Sequence, residues 1–106
     1  MATGRLGAAA LSAANYTTIY TVPASTVCTY NVLMVNRGNY PVIVRIAVTT
    51  QASTPLDADF IEYDTIIEAN GVLERTAIVS NATEKLMVYS SAATVSVRVN
   101  GFEEAA

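Results

Sequence analysis

Six of the nine acidic residues fall in one stretch: Asp57, Asp59, Glu62, Asp64, Glu68 and Glu74. Paired carboxylates are the working groups of glycoside hydrolysis, one as acid and one as nucleophile or base. Glu62 and Asp64 are two apart, which on a strand places them about 6–7 Å apart on one face. Period two produces such pairs routinely. Asp57-x-Asp59 has the beginning of a calcium loop but lacks its following Asp, its Gly and its closing Glu. The segment therefore reads as a solvated or partner-facing acidic patch. The single cysteine, Cys28, sits among Val27, Thr29 and Tyr30. A reactive thiol needs an exposed, electropositive setting, and these neighbours predict a packed one. Gly4-Arg5-Leu6-Gly7 is no phosphate loop, because no strand precedes it and no Lys-Ser/Thr follows. Tyr16, Tyr20, Tyr30, Tyr40, Tyr63 and Tyr89 are the one set that could line a binding face; the alternative is that they lie across the sheet as ordinary strand residues. With no His and one Cys, a His-dependent triad and a His/Cys zinc site are excluded. No nucleophile with a base and an orienting partner can be assembled. The expectation is a non-enzyme with no catalytic residue, no bound metal and no cofactor.

These residues must be held by strands. Val, Ile and Thr make up 33 of the 106 residues, and β-branched side chains suit a pleated surface. Val95, Val97 and Val99 alternate with polar residues, as do Val42, Val44, Ile46 and Val48, which is the two-residue period of a half-buried strand. Further strands are expected over Tyr16–Val22, Val27–Val35, Phe60–Ile67, Val72–Val79 and Glu84–Ser90. Pro23-Ala24-Ser25, Asn36 to Asn39, Ala69-Asn70-Gly71 and Ser80-Asn81-Ala82 separate them. Asn70-Gly71 is the strongest hairpin signal, since a type I′ turn needs positive φ at both central residues. Thr54-Pro55-Leu56-Asp57 carries the chemistry of one helical turn, with Thr54 as cap. The fold class predicted is an all-β antiparallel sandwich of about seven or eight strands, with jelly-roll and immunoglobulin-like orders both open. The domain spans 15–106. Residues 1–14, rich in Ala and Gly and without a clear period, read as an extended N-terminal arm, and Glu104 to Ala106 as a frayed tail.

Charge is scarce. The net charge is −3, and 14% of residues are charged, against roughly 25% in an average soluble domain. Nucleic-acid binding is not expected of six basic residues scattered along an acidic chain. Between Leu6 and Leu56 only Arg37 and Arg45 are charged. That run is broken by Ser, Thr, Asn and Pro, so no transmembrane helix is expected, and Leu6 to Leu11 is too short for a secretory core. The two Asn-x-Thr triplets, at Asn15 and Asn81, read as chance without export, and one free thiol fits a reducing cytoplasm. Edge strands without charge invite pairing with other chains. The composition therefore predicts a subunit covered by partners, either copies of itself in a dimer or trimer or other proteins.

Several segments carry a family likeness: Met1 to Gly7, Thr18 to Pro23, Val35 to Gly38, Ala58 to Asp64, Gly71 to Thr76 and Val99 to Glu104. In this order, across nearly the whole chain, they resemble a group of small virion structural proteins of tailed phages, cyanophages in particular. The resemblance carries no catalytic or ligand-binding residue with it. It implies a virion structural protein and not its position in the particle. With the sparse charge, the Ala/Gly arm and the absence of catalytic groups, the expectation is a capsid cement or decoration protein that stabilises the head shell, assembled in the host cytoplasm and found in the virion, with the major capsid protein as partner. A tail, baseplate or fibre component is the alternative within the class. A carbohydrate-binding module for host attachment, supported by the tyrosines, is the alternative outside it.

Overall fold

A computed structural model describes all 106 residues. Eight strands account for most of the chain: β1 (Thr3–Ala10), β2 (Tyr16–Thr21), β3 (Thr26–Asn36), β4 (Val42–Thr49), β5 (Phe60–Ile67), β6 (Val72–Ser80), β7 (Lys85–Ser90) and β8 (Val95–Ala105). The only helical element is a three-residue 3-10 turn at Asp57–Asp59. No helix is long and apolar enough to cross a membrane.

The strands form two four-stranded sheets, ordered β1-β8-β3-β6 and β2-β7-β4-β5, and every ladder is antiparallel. The pairing is nested: β4 with β5, β3 with β6, β2 with β7 and β1 with β8. A long double-stranded ribbon is rolled so that β8 closes on β3 and β7 closes on β4. That is the connectivity of a jelly roll, which decides between the two orders left open by the sequence.

The core lies between the sheets and follows from the two-residue period. Cys28, Tyr30, Val32 and Met34 of β3 face Val42, Val44 and Ile46 of β4, with Val95, Val97, Val99, Leu86 and Val88 completing the layer. Tyr30 is fully buried and bonds Ser80 through its hydroxyl at 2.7 Å. Opposite it on β8 stands Gly101. A Cβ there would collide with the Thr29 carbonyl and Tyr30 Cα, so glycine makes the room that the tyrosine occupies.

Four expectations are corrected. Residues 3–10, expected as an arm outside the domain, form the edge strand β1, paired to β8 from Thr3 to Ala10. Leu11, just beyond, is buried in the core. An Ala/Gly segment lacks strand propensity of its own, but Gly7 lets β1 approach β2 so closely that a Cβ would lie 2.5 Å from the Ile19 carbonyl oxygen. The expected frayed tail is also paired: Glu104 and Ala105 lie opposite Val27 and Thr26. The Asn70-Gly71 turn is not a hairpin. Its flanking strands belong to different sheets, and only Asn70 has positive φ. Finally, Thr54 does not cap the short helical turn; Asp59 accepts the Leu56 amide instead, at 2.9 Å.

Asn36, read from sequence as part of a turn, is the last inward position of β3 and has no exposed surface. Its side-chain amide donates to the carbonyls of Tyr40, Ile67 and Glu68, at 2.6, 3.2 and 3.2 Å. Its side-chain oxygen accepts from the Gly38 amide and the Thr94 hydroxyl, at 2.9 and 3.0 Å. Its backbone amide donates to the Gly71 carbonyl. One side chain thus joins three connections at one end of the sandwich. Removing it strands buried carbonyls, each costing about 1–3 kcal/mol. Asn36→Ala is expected to lower unfolding free energy by about 3 kcal/mol, and Thr94→Val, which removes one of these bonds, by about 1 kcal/mol. Denaturant titration of both variants measures the difference, and equal effects would show that Asn36 is no hub.

Candidate functional site

The outer surface of the β2-β7-β4-β5 sheet carries the densest cluster of functional side chains. Residues directly opposite in an antiparallel ladder project to the same face. Tyr16 of β2 lies opposite Tyr89 of β7, and Tyr89 opposite Arg45 of β4, so one outward row reads Tyr16, Tyr89, Arg45. The Tyr16 and Tyr89 rings are 5.2 Å apart. The Arg45 guanidinium lies 4.8 Å from the centre of the Tyr89 ring and 4.3 Å from that of Tyr63 on β5. It donates to Asp64 at 2.6 Å and to the Tyr16 hydroxyl at 3.0 Å. Phe60 completes the layer, edge-on to Tyr63 with centroids 4.9 Å apart.

A β-bulge builds this arrangement. The β4–β5 register jumps from Val44 opposite Thr65 to Ile46 opposite Glu62, and Asp64 within the jump has φ 51°. Left-handed backbone is tolerated by Asp far better than by a β-branched residue. The extra residue re-aims its neighbours, so Tyr63 and Asp64 both reach Arg45. It also separates the acidic pair. Glu62 and Asp64, expected on one face, diverge: Glu62 lies opposite Ile46, an inward residue, and binds Arg75 of β6 at 2.8 Å. That ion pair links the β5 and β6 edges of the two sheets. The acidic patch is thus distributed among separate partners, Asp64 to Arg45, Glu62 to Arg75 and Asp59 to the Leu56 amide.

Of the six tyrosines considered as a binding face, the structure gathers Tyr16, Tyr63 and Tyr89. Tyr40 stands apart and is highly exposed. Tyr20 and Tyr30 pack edge-to-face, with centroids 5.9 Å apart, at the other end of the sandwich. Tyr63 is 57% exposed, and with Asp57 and Phe60 it lines an open depression of about 480 Å3. Arg45 is the residue that sequence reasoning missed. A lone arginine among valines and isoleucines, in a stretch otherwise almost free of charge, was the available signal.

Cys28 is buried, and burial pushes its thiol up, toward the protonated form. Beside it, Tyr20 donates to Glu103 at 2.5 Å, within the range of hydroxyl–carboxylate bonds. Burial, then this bond, raises Tyr20. Burial also pushes Tyr30 up to about 12. The second Glu103 oxygen accepts the Ala2 amide at 2.9 Å. The Tyr20 hydroxyl, and then the Ala2 amide, hold the Glu103 carboxyl below its ordinary value of 4.5. Glu103 therefore ties β8 to β2 and to the start of β1.

The fold and these contacts define an eight-stranded jelly roll with a packed aromatic–arginine layer on one outer face. Comparison with family models, with curated proteins and with solved structures gives no match.

Two outcomes are expected. Asp64→Asn keeps a side chain suited to the bulge and loses only an exposed ion pair, costing about 1 kcal/mol or less. Asp64→Val places a β-branched residue at positive φ and costs about 2–3 kcal/mol; thermal melts that rank the two in reverse order would contradict the bulge. Glu103 is more acidic in the folded chain than its ordinary value, so its contribution is complete above about pH 4.5 and fades as pH falls through the lowered value. Glu103→Gln is expected to be less stable than the parent at neutral pH and to show a shallower loss between about pH 5 and pH 3. Denaturant midpoints across that range check the slope.

Proposed function

We propose that this chain is a structural protein of a tailed-phage virion, a cement or decoration subunit that stabilises the head shell. One observation carries the reading: the molecule's broad outer surface is built to be covered. The outward residues of β3, β6 and β8 include Leu33, Val35, Val72, Val79 and Phe102, of which Val72, Val79 and Phe102 are exposed. These side chains are spread along the face among polar and charged ones, and exposed apolar groups rimmed by polar residues mark interaction sites. The edge strand β2 has no charged residue, and β1 has only Arg5; such edges tend to pair with other chains unless covered. The resemblance in sequence points to the same class. Jelly rolls recur in viral capsid domains, an analogy of fold that does not by itself assign function.

A cement subunit needs rigidity and adhesion. The nested ladders, the Asn36 bonds and the Glu62–Arg75 pair supply rigidity. Adhesion comes from the outer faces and edges, not from a free arm, because residues 3–10 are committed to the sheet. Locating the chain's density in images of intact particles tests the reading. Hundreds of copies on the head are expected. Six to a few dozen copies in the tail would support the tail, baseplate or fibre alternative, and absence from purified particles would overturn the class.

The exposed Tyr63 ring above the Asp57–Phe60–Tyr63 depression favours a second reading, a carbohydrate-binding module for host attachment. Aromatic faces beside polar groups suit sugar rings. A glycan array that detects binders, with the signal lost in Tyr63→Ala, would support it; an array with no binder would remove it.

A further inference from the structure

The outer face of the β1-β8-β3-β6 sheet matches itself. Three outward rows cross β8, β3 and β6 in that order: Phe102, Thr29, Val79; Arg98, Leu33, Glu74; and Ser96, Val35, Val72. β3 is the middle strand of each row. We propose that this face pairs with the same face of a second copy of the chain, about a two-fold axis running along β3.

Rotation about that line exchanges the β8 side with the β6 side, so each row meets its own reverse. In the first row Phe102 lies over Val79 of the second copy, apolar on apolar; the two residues are 45% and 62% exposed. In the second row Arg98 lies over Glu74 of the second copy, and Glu74 over its Arg98. Within one chain these two charges are separated by two strand spacings, about 10 Å, and the chain's two ion pairs use other residues. Arg98 bonds only Asn100, at 3.2 Å. In the third row Val72, an exposed knob, lies over Ser96 of the second copy. Ser96 is the floor of a trough of about 420 Å3, open because Ala8, Ala10 and Ser96 are small while Leu33 and Val35 stand beside them. A knob therefore meets a hole, a cation meets an anion and an apolar pair meets an apolar pair. All three follow from one axis, and each contact occurs twice, as an isologous interface requires. The axis runs along the strands, so the strands of the two copies are aligned, the common arrangement for sheets packed face to face. The molecule's extents of 42 by 27 by 19 Å leave room for a standard interface of about 800 Å2 per partner.

The same face carries the virion reading, here with a second copy as its cover, and the purified chain tests the pairing without particles. Sedimentation equilibrium of the full chain is expected to show a monomer–dimer equilibrium. Arg98→Glu and Glu74→Arg each place two like-charge contacts in the dimer and are expected to weaken it about tenfold or more. The double variant restores both pairs with reversed sign and is expected to return the dissociation constant to within about threefold of the parent, the mark of a pair acting across the axis. Ser96→Leu, filling the trough from outside the core, is expected to yield monomer with an unchanged circular dichroism spectrum. The proposal is overturned by a parent chain that stays monomeric up to about 1 mM, by a dimer that both single reversals leave intact, or by a double variant as weak as the singles.

Discussion

The sandwich hangs on the buried amide of Asn36. Where three connections converge, backbone carbonyls turn inward and away from water, and each needs a donor. Asn36 serves the β3–β4 connection through Tyr40, the end of β5 through Ile67 and the β5–β6 connection through Glu68 and Gly71. Through Thr94 it also holds the turn before β8. A hydrophobic residue of similar size would fill the space and satisfy none of these groups. The cost of burying one polar side chain is offset because it is fully bonded, and no buried side-chain nitrogen or oxygen in the chain lacks a partner. The opposite end has its own tie in Glu103, which joins β8, β2 and the start of β1.

Between these ties the two outer faces differ in kind. On the β2-β7-β4-β5 sheet, aromatic rings and Arg45 satisfy one another, so much of that face is packed by its own side chains. Ala47 and Met87 project outward by register, yet both are buried. On the other sheet the outward charges find no carboxylate–cation partner within the chain, and valines and a phenylalanine stand exposed. Ile43, Ile66 and Tyr63 still stand exposed on the first face, so the two faces differ in whether their charges are paired. A molecule with this asymmetry is oriented by its surface chemistry, whichever neighbour it meets.

Strand positions were legible in the sequence, because burial on one face imposes a two-residue period that valine and isoleucine report directly. Phe60–Ile67 is where the alternation placed it. The order of strands was not legible, because it depends on pairings between distant residues such as Thr3 with Phe102, which no local pattern encodes. The Asn70-Gly71 signal misled for the same reason: it reports a tight turn, and a tight turn can pass from one sheet to the other. Strand β1 was missed because its pairing is imposed by β8 and permitted by Gly7, against the weak propensity of alanine and glycine. At the candidate site, the tyrosines were visible as a set. Their convergence was not, since it depends on a bulge at Asp64 that breaks the period from which faces are inferred.

The nested topology has a consequence for how the protein is made. The final strand, β8, is not at an edge; it sits between β1 and β3 in the middle of its sheet. During synthesis β1 emerges well before β8 and has no ladder partner until β8 follows. Loop closure between β1 and β8 must precede the contacts that reward it, which makes folding slow and leaves uncharged strands exposed meanwhile. Folding of this sheet therefore waits for β8, and until β8 has formed the uncharged strands before it are the part of the chain most prone to stick to its neighbours.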